Sequence, residues 1–165
     1  MTSEVGVDAL DAKLIALLEA EPRIGVLECS RRLGVARGTV QARFDKLTAR
    51  GVVRGFGPNV DPAALGYPVM AFVTLELRQA VGHDNVARLL GRIPEVLEAH
   101  TVTGSGDLLC RIVARTNAEL QGVIDRVLAS DGVLRASTVI ALAEQIAYRT
   151  LPLVEKAAGE PDANA

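Results

Sequence analysis

Cysteine and histidine are scarce: Cys29 and Cys110, His83 and His100 are the only four such residues in 165. The cysteines sit in apolar helix- and strand-like patterns, without CxxC or metal-ligand spacing. They read as reduced core residues of a cytoplasmic protein rather than as a disulfide framework. Neither histidine has a ligand partner at helical or hairpin spacing, which excludes a zinc-type site, and the sequence calls for no metal and no cofactor. His100 and Asp107 across a hairpin could form a general-base pair, but no activated nucleophile accompanies them, so the chain is not expected to be an enzyme. Long apolar runs are also missing; "ASTVIALA" stops far short of the 18 or so residues of a membrane helix. The start "MTSEVGVDALD" is acidic and lacks the basic-then-apolar order of an export signal.

What is present is a large apolar fraction, 49%, enough for a packed core. The net charge of −2 gives no hint of a polyanion partner, but its distribution does. Residues 31–54 hold seven basic side chains (Arg31, Arg32, Arg37, Arg43, Lys46, Arg50, Arg54) against one acid, Asp45. Local field rather than total charge attracts nucleic acid. A solvated helix face is the plain alternative.

Helical periodicity opens the chain. Val7, Leu10, Leu14, Leu17 and Leu18 make one stripe, with Asp8 as its cap, Asp11 in the first turn and Pro22 as its end. A second helix spans Val26 to Leu33, with Val26, Cys29 and Leu33 inward and Gly34 as the turn. A third begins near Arg37, carries Val40, Phe44 and Leu47 inward, and stops at Gly51. "VVRGFGPNV" reads as extended chain with tight turns, a small wing. The first 60 residues therefore predict a winged helix-turn-helix domain.

"DPAALGYP" (residues 61–68) separates two periodicities and reads as a linker. Residues 69–153 then alternate strand, helix, strand, strand, helix, strand: "VMAFVTLEL", "DNVARLLGRI", "VLEAHTV", "LLCRIVAR", "NAELQGVIDRVLA" and "ASTVIALA", with Asn117 capping the second helix. This is a ferredoxin-like βαββαβ domain with both helices on one face, and the fold class is α+β. The tail 154–165 shows no apolar stripe and is expected to fray. The first strand is apolar on both faces, with Val69, Ala71, Val73, Leu75 and Leu77 on one and Met70 and Phe72 on the other. A second copy covering the bare face would make a homodimer.

Two short helices around a glycine turn, the second basic, form a helix-turn-helix pattern. Small Ser30 permits close approach of the helices. Arg37, Thr39, Gln41, Arg43 and Lys46 are left facing outward, with chemistry suited to guanine, adenine and phosphate on double-stranded DNA. Ala36 stands where a side-chain cap would normally sit, and Gly38 bares backbone N–H groups that could meet a phosphate.

The segments "VDALDAKLIALLEAEPR", "LGVARGTVQARFDKLTARGVVRGF" and "VDPAALGYP", followed by a βαββαβ half with "TGSGDLL", resemble the Lrp/AsnC (feast/famine) transcriptional regulators over about residues 7 to 145. Ala36 in place of the usual Ser, and Ser30 in place of the usual Ala, depart from that pattern. The resemblance implies a sequence-specific regulator that binds DNA as dimers, often built into octamers, and senses an amino acid.

Read locally, "TVTGSGDLL" is a hairpin turn in which Gly104 and Gly106 supply positive φ. It is a weak phosphate cradle, since no helix and no Lys follow. The resemblance makes it an effector loop, with Thr103, Gly104, Gly106 and Asp107 as the matching residues and Thr138 near the same pocket. Glycine N–H groups would receive the carboxylate and Asp107 the ammonium of the amino acid. Two rivals remain at this point: a sensing module without DNA binding, which the basic stretch argues against, and a ferredoxin-like enzyme, which lacks a catalytic constellation.

Overall fold

Asp8 sets where the first helix begins. In the computed structural model, which describes residues 6–78 and 83–159, its Oδ1 accepts from the backbone N–H of Leu10 (2.8 Å) and of Asp11 (2.9 Å). The Asp8 N–H in turn donates to Asp11 Oδ2 at 3.3 Å. This reciprocal capping box starts α1 (Ala9–Ala20), which ends just before Pro22. α2 (Val26–Leu33) closes on Gly34, at φ 67°, and α3 (Arg37–Ala49) on Gly51, at φ 70°. Both glycines take the left-handed conformation that a helix end favours.

Leu14, Cys29, Val40 and Leu47 form the buried centre of these helices, with Ile15, Leu18, Leu33 and Phe44 packed around it. Ser30 is buried too and donates its hydroxyl to the Leu27 carbonyl at 2.7 Å, which satisfies it locally. The expected wing takes a different form. Residues 52–60 contain no strand; Phe56 instead stacks on Phe44, ring centres 5.5 Å apart.

The tail also departs from expectation. α6 (Leu151–Gly159) is a helix lying against α1. Its half-buried residues are Leu151, Val154 and Ala158, spaced as one helical face. A boundary drawn after Leu153 cuts that stripe in two, which is why the tail looked patternless. Pro152 falls in the first turn, where its missing N–H costs nothing. By contacts, the chain up to Pro58 and the chain from Ile146 onward make one unit, and Asn59–Gln145 the other.

The second unit contains β1 (Val69–Leu77), α4 (His83–Leu90), β2 (Val96–Thr101), β3 (Leu108–Ala114), α5 (Asn117–Leu128) and β4 (Val133–Ala141). The strands lie in the order β2-β3-β1-β4, all pairs antiparallel. Ala71, Val73 and Leu75 alternate onto the covered face, where Val86 and Leu90 of α4 and Leu120, Val123 and Val127 of α5 complete the core. Thr116, one residue before the expected Asn117, caps α5 by accepting from the Glu119 N–H at 3.1 Å. On the opposite face Phe72 and its cross-strand neighbour Val139 remain 39% and 66% exposed. The segment expected as a linker is an ordered turn of this unit: Asp61 Oδ1 accepts from the Ala63 N–H at 2.9 Å, and the Arg115 guanidinium sits 5.1 Å above the Tyr67 ring.

Candidate DNA interface and effector loop

The start of α3 has no side-chain cap at Ala36, and its first turn carries exposed Arg37, Gly38 and Thr39. The Ala36 carbonyl accepts from the N–H groups of Thr39 and Val40. A side chain at Gly38 would meet nothing within 4 Å, so crowding is not what calls for glycine there. A shallow open depression runs along this face, lined by Asp8, Gly38, Thr39, Ala42, Arg43 and Lys46. Gln41 is exposed but engaged, donating to Asp45 one turn on at 2.8 Å.

Arg43 does not face freely outward as expected. Its Nη1 lies 2.5 Å from Asp8 Oδ2 and 2.8 Å from Asp11 Oδ1, and its side chain is only 30% exposed. The reason is the packing of α3 across the start of α1. Asp11 is 4% exposed, and without a cation it would be a buried, uncompensated charge. Burial pushes the Asp8 carboxyl up, but the Arg43 hydrogen bond, the N–H donors and the attraction of Arg43 outweigh it and leave Asp8 below its ordinary value. Hydrogen bonds to Asp8 and then Asp11 hold Arg43 above its own.

In the second unit, the Val102 N–H donates to the Asp107 carbonyl at 3.1 Å and closes the loop between β2 and β3. Gly104 has φ +112°, as expected of a turn glycine, but Gly106 has no positive φ. Gly106 is glycine for another reason: a Cβ there would collide with the Thr74 methyl and stand 3.1 Å from the Leu75 carbonyl oxygen. Asp107 continues the pairing onto β1, its N–H donating to Leu75 O at 2.8 Å and its Oδ2 accepting from the Leu77 N–H at 2.7 Å. Thr103, Gly104, Gly106 and Asp107 thus share one loop. Thr138 faces Val73 from β4, on the other flank of β1, and no hydrogen bond joins it to that loop among the described residues.

Residues 7–48 match the AsnC-type helix-turn-helix domain, and residues 69–151 match the Lrp/AsnC ligand binding domain. The chain belongs to the Lrp/AsnC family. It is 31% identical to the HTH-type transcriptional regulator FL11 of Pyrococcus horikoshii, over 90% of this chain and 98% of that one. The solved AsnC of E. coli superposes with a TM-score of 0.80 at 27% identity, covering 88% of this chain and 99% of that chain. The feast or famine regulatory protein of M. tuberculosis, solved with L-methionine, gives 0.76 at 27% identity, covering 86% and 96%. Like its relatives, this Lrp/AsnC protein is a transcriptional regulator that joins a DNA-binding helix-turn-helix to a ligand-binding domain.

Other residues of this Lrp/AsnC chain fall into place around that assignment. His100 stands opposite Leu109 and 3.8 Å from Glu98, so the imagined pair with Asp107 does not form. Burial pushes the Cys110 thiol to about 11 and raises Cys29 as well, which suits core residues. No cluster of three or more His, Cys, Asp or Glu that could hold a metal occurs among the described residues, and none of their helices is long and apolar enough to cross a membrane. Sequence reasoning missed Asp8 and Asp11 as neighbours of the recognition helix. The signal was the Asp-x-x-Asp pair itself, read only as a cap.

Proposed function

We propose that the chain is a cytoplasmic, non-enzymatic, sequence-specific regulator, acting as a homodimer, whose DNA affinity or assembly responds to an amino acid. The observation that carries the DNA half is the uncapped start of α3, with Arg37, Gly38 and Thr39 exposed and Lys46 on the rim of the same depression. A phosphate fits an uncapped helix N-terminus, and Arg37 and Gln41 carry the donors that distinguish guanine and adenine in the major groove. Gln41 must exchange Asp45 for a base to do so.

The effector would lie at the 103–107 loop. One carboxylate oxygen of Asp107 holds β1, which leaves Oδ1 to accept from an ammonium, while the glycine-rich backbone receives the carboxylate. The M. tuberculosis relative, solved with L-methionine, supports an amino acid as the ligand. Thr138 would join the pocket only as a wall contributed from the far side of β1. The exposed Phe72–Val139 pair supports pairing of two copies through the bare sheet face.

Fluorescence anisotropy on duplexes selected by the protein tests the first claim. Arg37→Ala is expected to lower affinity at least tenfold and to relax sequence preference, and Lys46→Ala to flatten the salt dependence by about one unit of slope. Equal binding of the wild type to all duplexes at physiological salt would overturn sequence-specific regulation. Calorimetric titration with L-methionine and then the other amino acids, with light scattering on each sample, tests the second. Coupling of about 1–3 kcal/mol is expected, and Asp107→Ala should abolish it.

A further inference from the structure

Every carboxylate oxygen at the start of α1 has an assigned partner. Asp8 Oδ1 caps the helix and Asp8 Oδ2 takes Arg43; Asp11 Oδ2 takes the Asp8 N–H and Asp11 Oδ1 takes Arg43. One Nη1 group in the middle of α3 is therefore tied into the capping box of another helix. Two turns further along α3's path, Arg50 Nη1 donates to the Gly6 carbonyl at 3.0 Å, a second fastening to the chain just before α1. Positions 43 and 50 are seven apart and lie on one side of the helix, while Val40 and Leu47 are buried. The depression along the exposed face is walled by both partners of the network, Asp8 and Arg43.

We infer that Arg43, Asp8 and Asp11 form a positioning clamp for the recognition helix, and that Arg43 does not itself contact DNA. The inference rests on the DNA-binding reading above. The clamp does two things. It sets the tilt of α3 against α1, and so the aim of Arg37 and Thr39. It also neutralises Asp8, whose unpaired carboxylate would repel a phosphate entering beside Lys46 and Thr39. A phosphate-binding arginine and a clamp arginine make opposite predictions for the acids. If Arg43 were a DNA contact held back by its partners, removing one acid would release it and strengthen binding. In a clamp, removing one acid loosens the helix and weakens binding although the protein becomes more positive.

The test measures full-length protein on a selected duplex and on a scrambled one across a salt series, with stoichiometric titration giving the active fraction. Asp11→Asn and Asp8→Asn should each weaken selected-duplex binding at least fivefold, leaving scrambled-duplex affinity nearly unchanged. Arg43→Lys keeps the charge on a side chain one atom shorter, whose nitrogen falls short of the Nη1 position that bridges the two acids. It should behave like the two Asn variants, with an unaltered salt slope, whereas Lys46→Gln loses about 0.9 of slope as a phosphate contact. Should Asp11→Asn fail to fold, Asp8→Asn, whose amide oxygen can still cap, and Arg43→Lys decide. Tighter binding by either Asn variant, or full affinity in Arg43→Lys, would overturn the clamp. Wild-type protein that binds neither duplex would instead sink the DNA-binding reading.

Discussion

The two units of the molecule are held together by different means. In the second, the buried cluster draws on β1, β3, β4 and both helices, from Ala71 and Val73 through Ile112 to Val127 and Val133. In the first, full burial falls to Leu14, Cys29, Val40 and Leu47, and the helix ends are fastened by polar contacts: the Asp8–Asp11 box, its Arg43 bridge and the Arg50–Gly6 bond. The difference teaches that a thin core can carry a precise surface when ion pairs define the angles. Apolar burial supplies stability without direction; carboxylate–guanidinium contacts supply direction.

Substitutions can break or sharpen that contrast. Leu47→Ala is expected to have the largest effect, about 2–5 kcal/mol, because a small core has few neighbours able to close the cavity. In calorimetry or circular dichroism it should lower the melting of the helical first unit, whereas Ile112→Val in the second, which removes one methylene where Leu47→Ala removes three carbons, should cost about 0.5–1.5 kcal/mol. A shift in Ile112→Val as large as that in Leu47→Ala would erase the contrast. Next is Gly106→Ala, where the added methyl meets Thr74 and the Leu75 carbonyl; about 1–3 kcal/mol of overpacking should appear in denaturant unfolding.

A smaller and opposite change is expected from Ala36→Ser, which supplies the missing cap and should stabilise the first unit by about 1 kcal/mol in a thermal melt. The smallest is the acid response. Asp8 is held below its ordinary 3.8, so its share of stability is fully present above that pH and disappears as pH falls through the lowered folded value. An acid titration followed by circular dichroism should show that loss in the wild type and a reduced one in Asp8→Asn.

Much of the fold was legible because its signals are local. Asp8 as a cap, Gly34 and Gly51 as helix ends, and the bounds of β1 need only neighbours three or four residues away. What was not legible depends on partners brought from afar. Arg43 looks like one more outward cation until α3 crosses α1 and sets it against acids 32 and 35 positions earlier. Gly106 looks like a turn glycine until the loop closes on Thr74. That β1 lies between Thr138 and the 103–107 loop could not be read either, because strand order is invisible in a strand pattern. The helix Leu151–Gly159 shows its stripe only when Leu151, Val154 and Ala158 are taken together, across the expected end of the second domain at Leu153.

That last helix has a practical consequence. Because α6 lies against α1, the unit bearing α3 is assembled from the two ends of the described chain. During translation its first three helices emerge well before β4, and their last structural neighbour emerges after it. The unit is thus finished late, and a fluorescent label placed on α6 would report on the DNA-reading half of the molecule rather than on the half that senses.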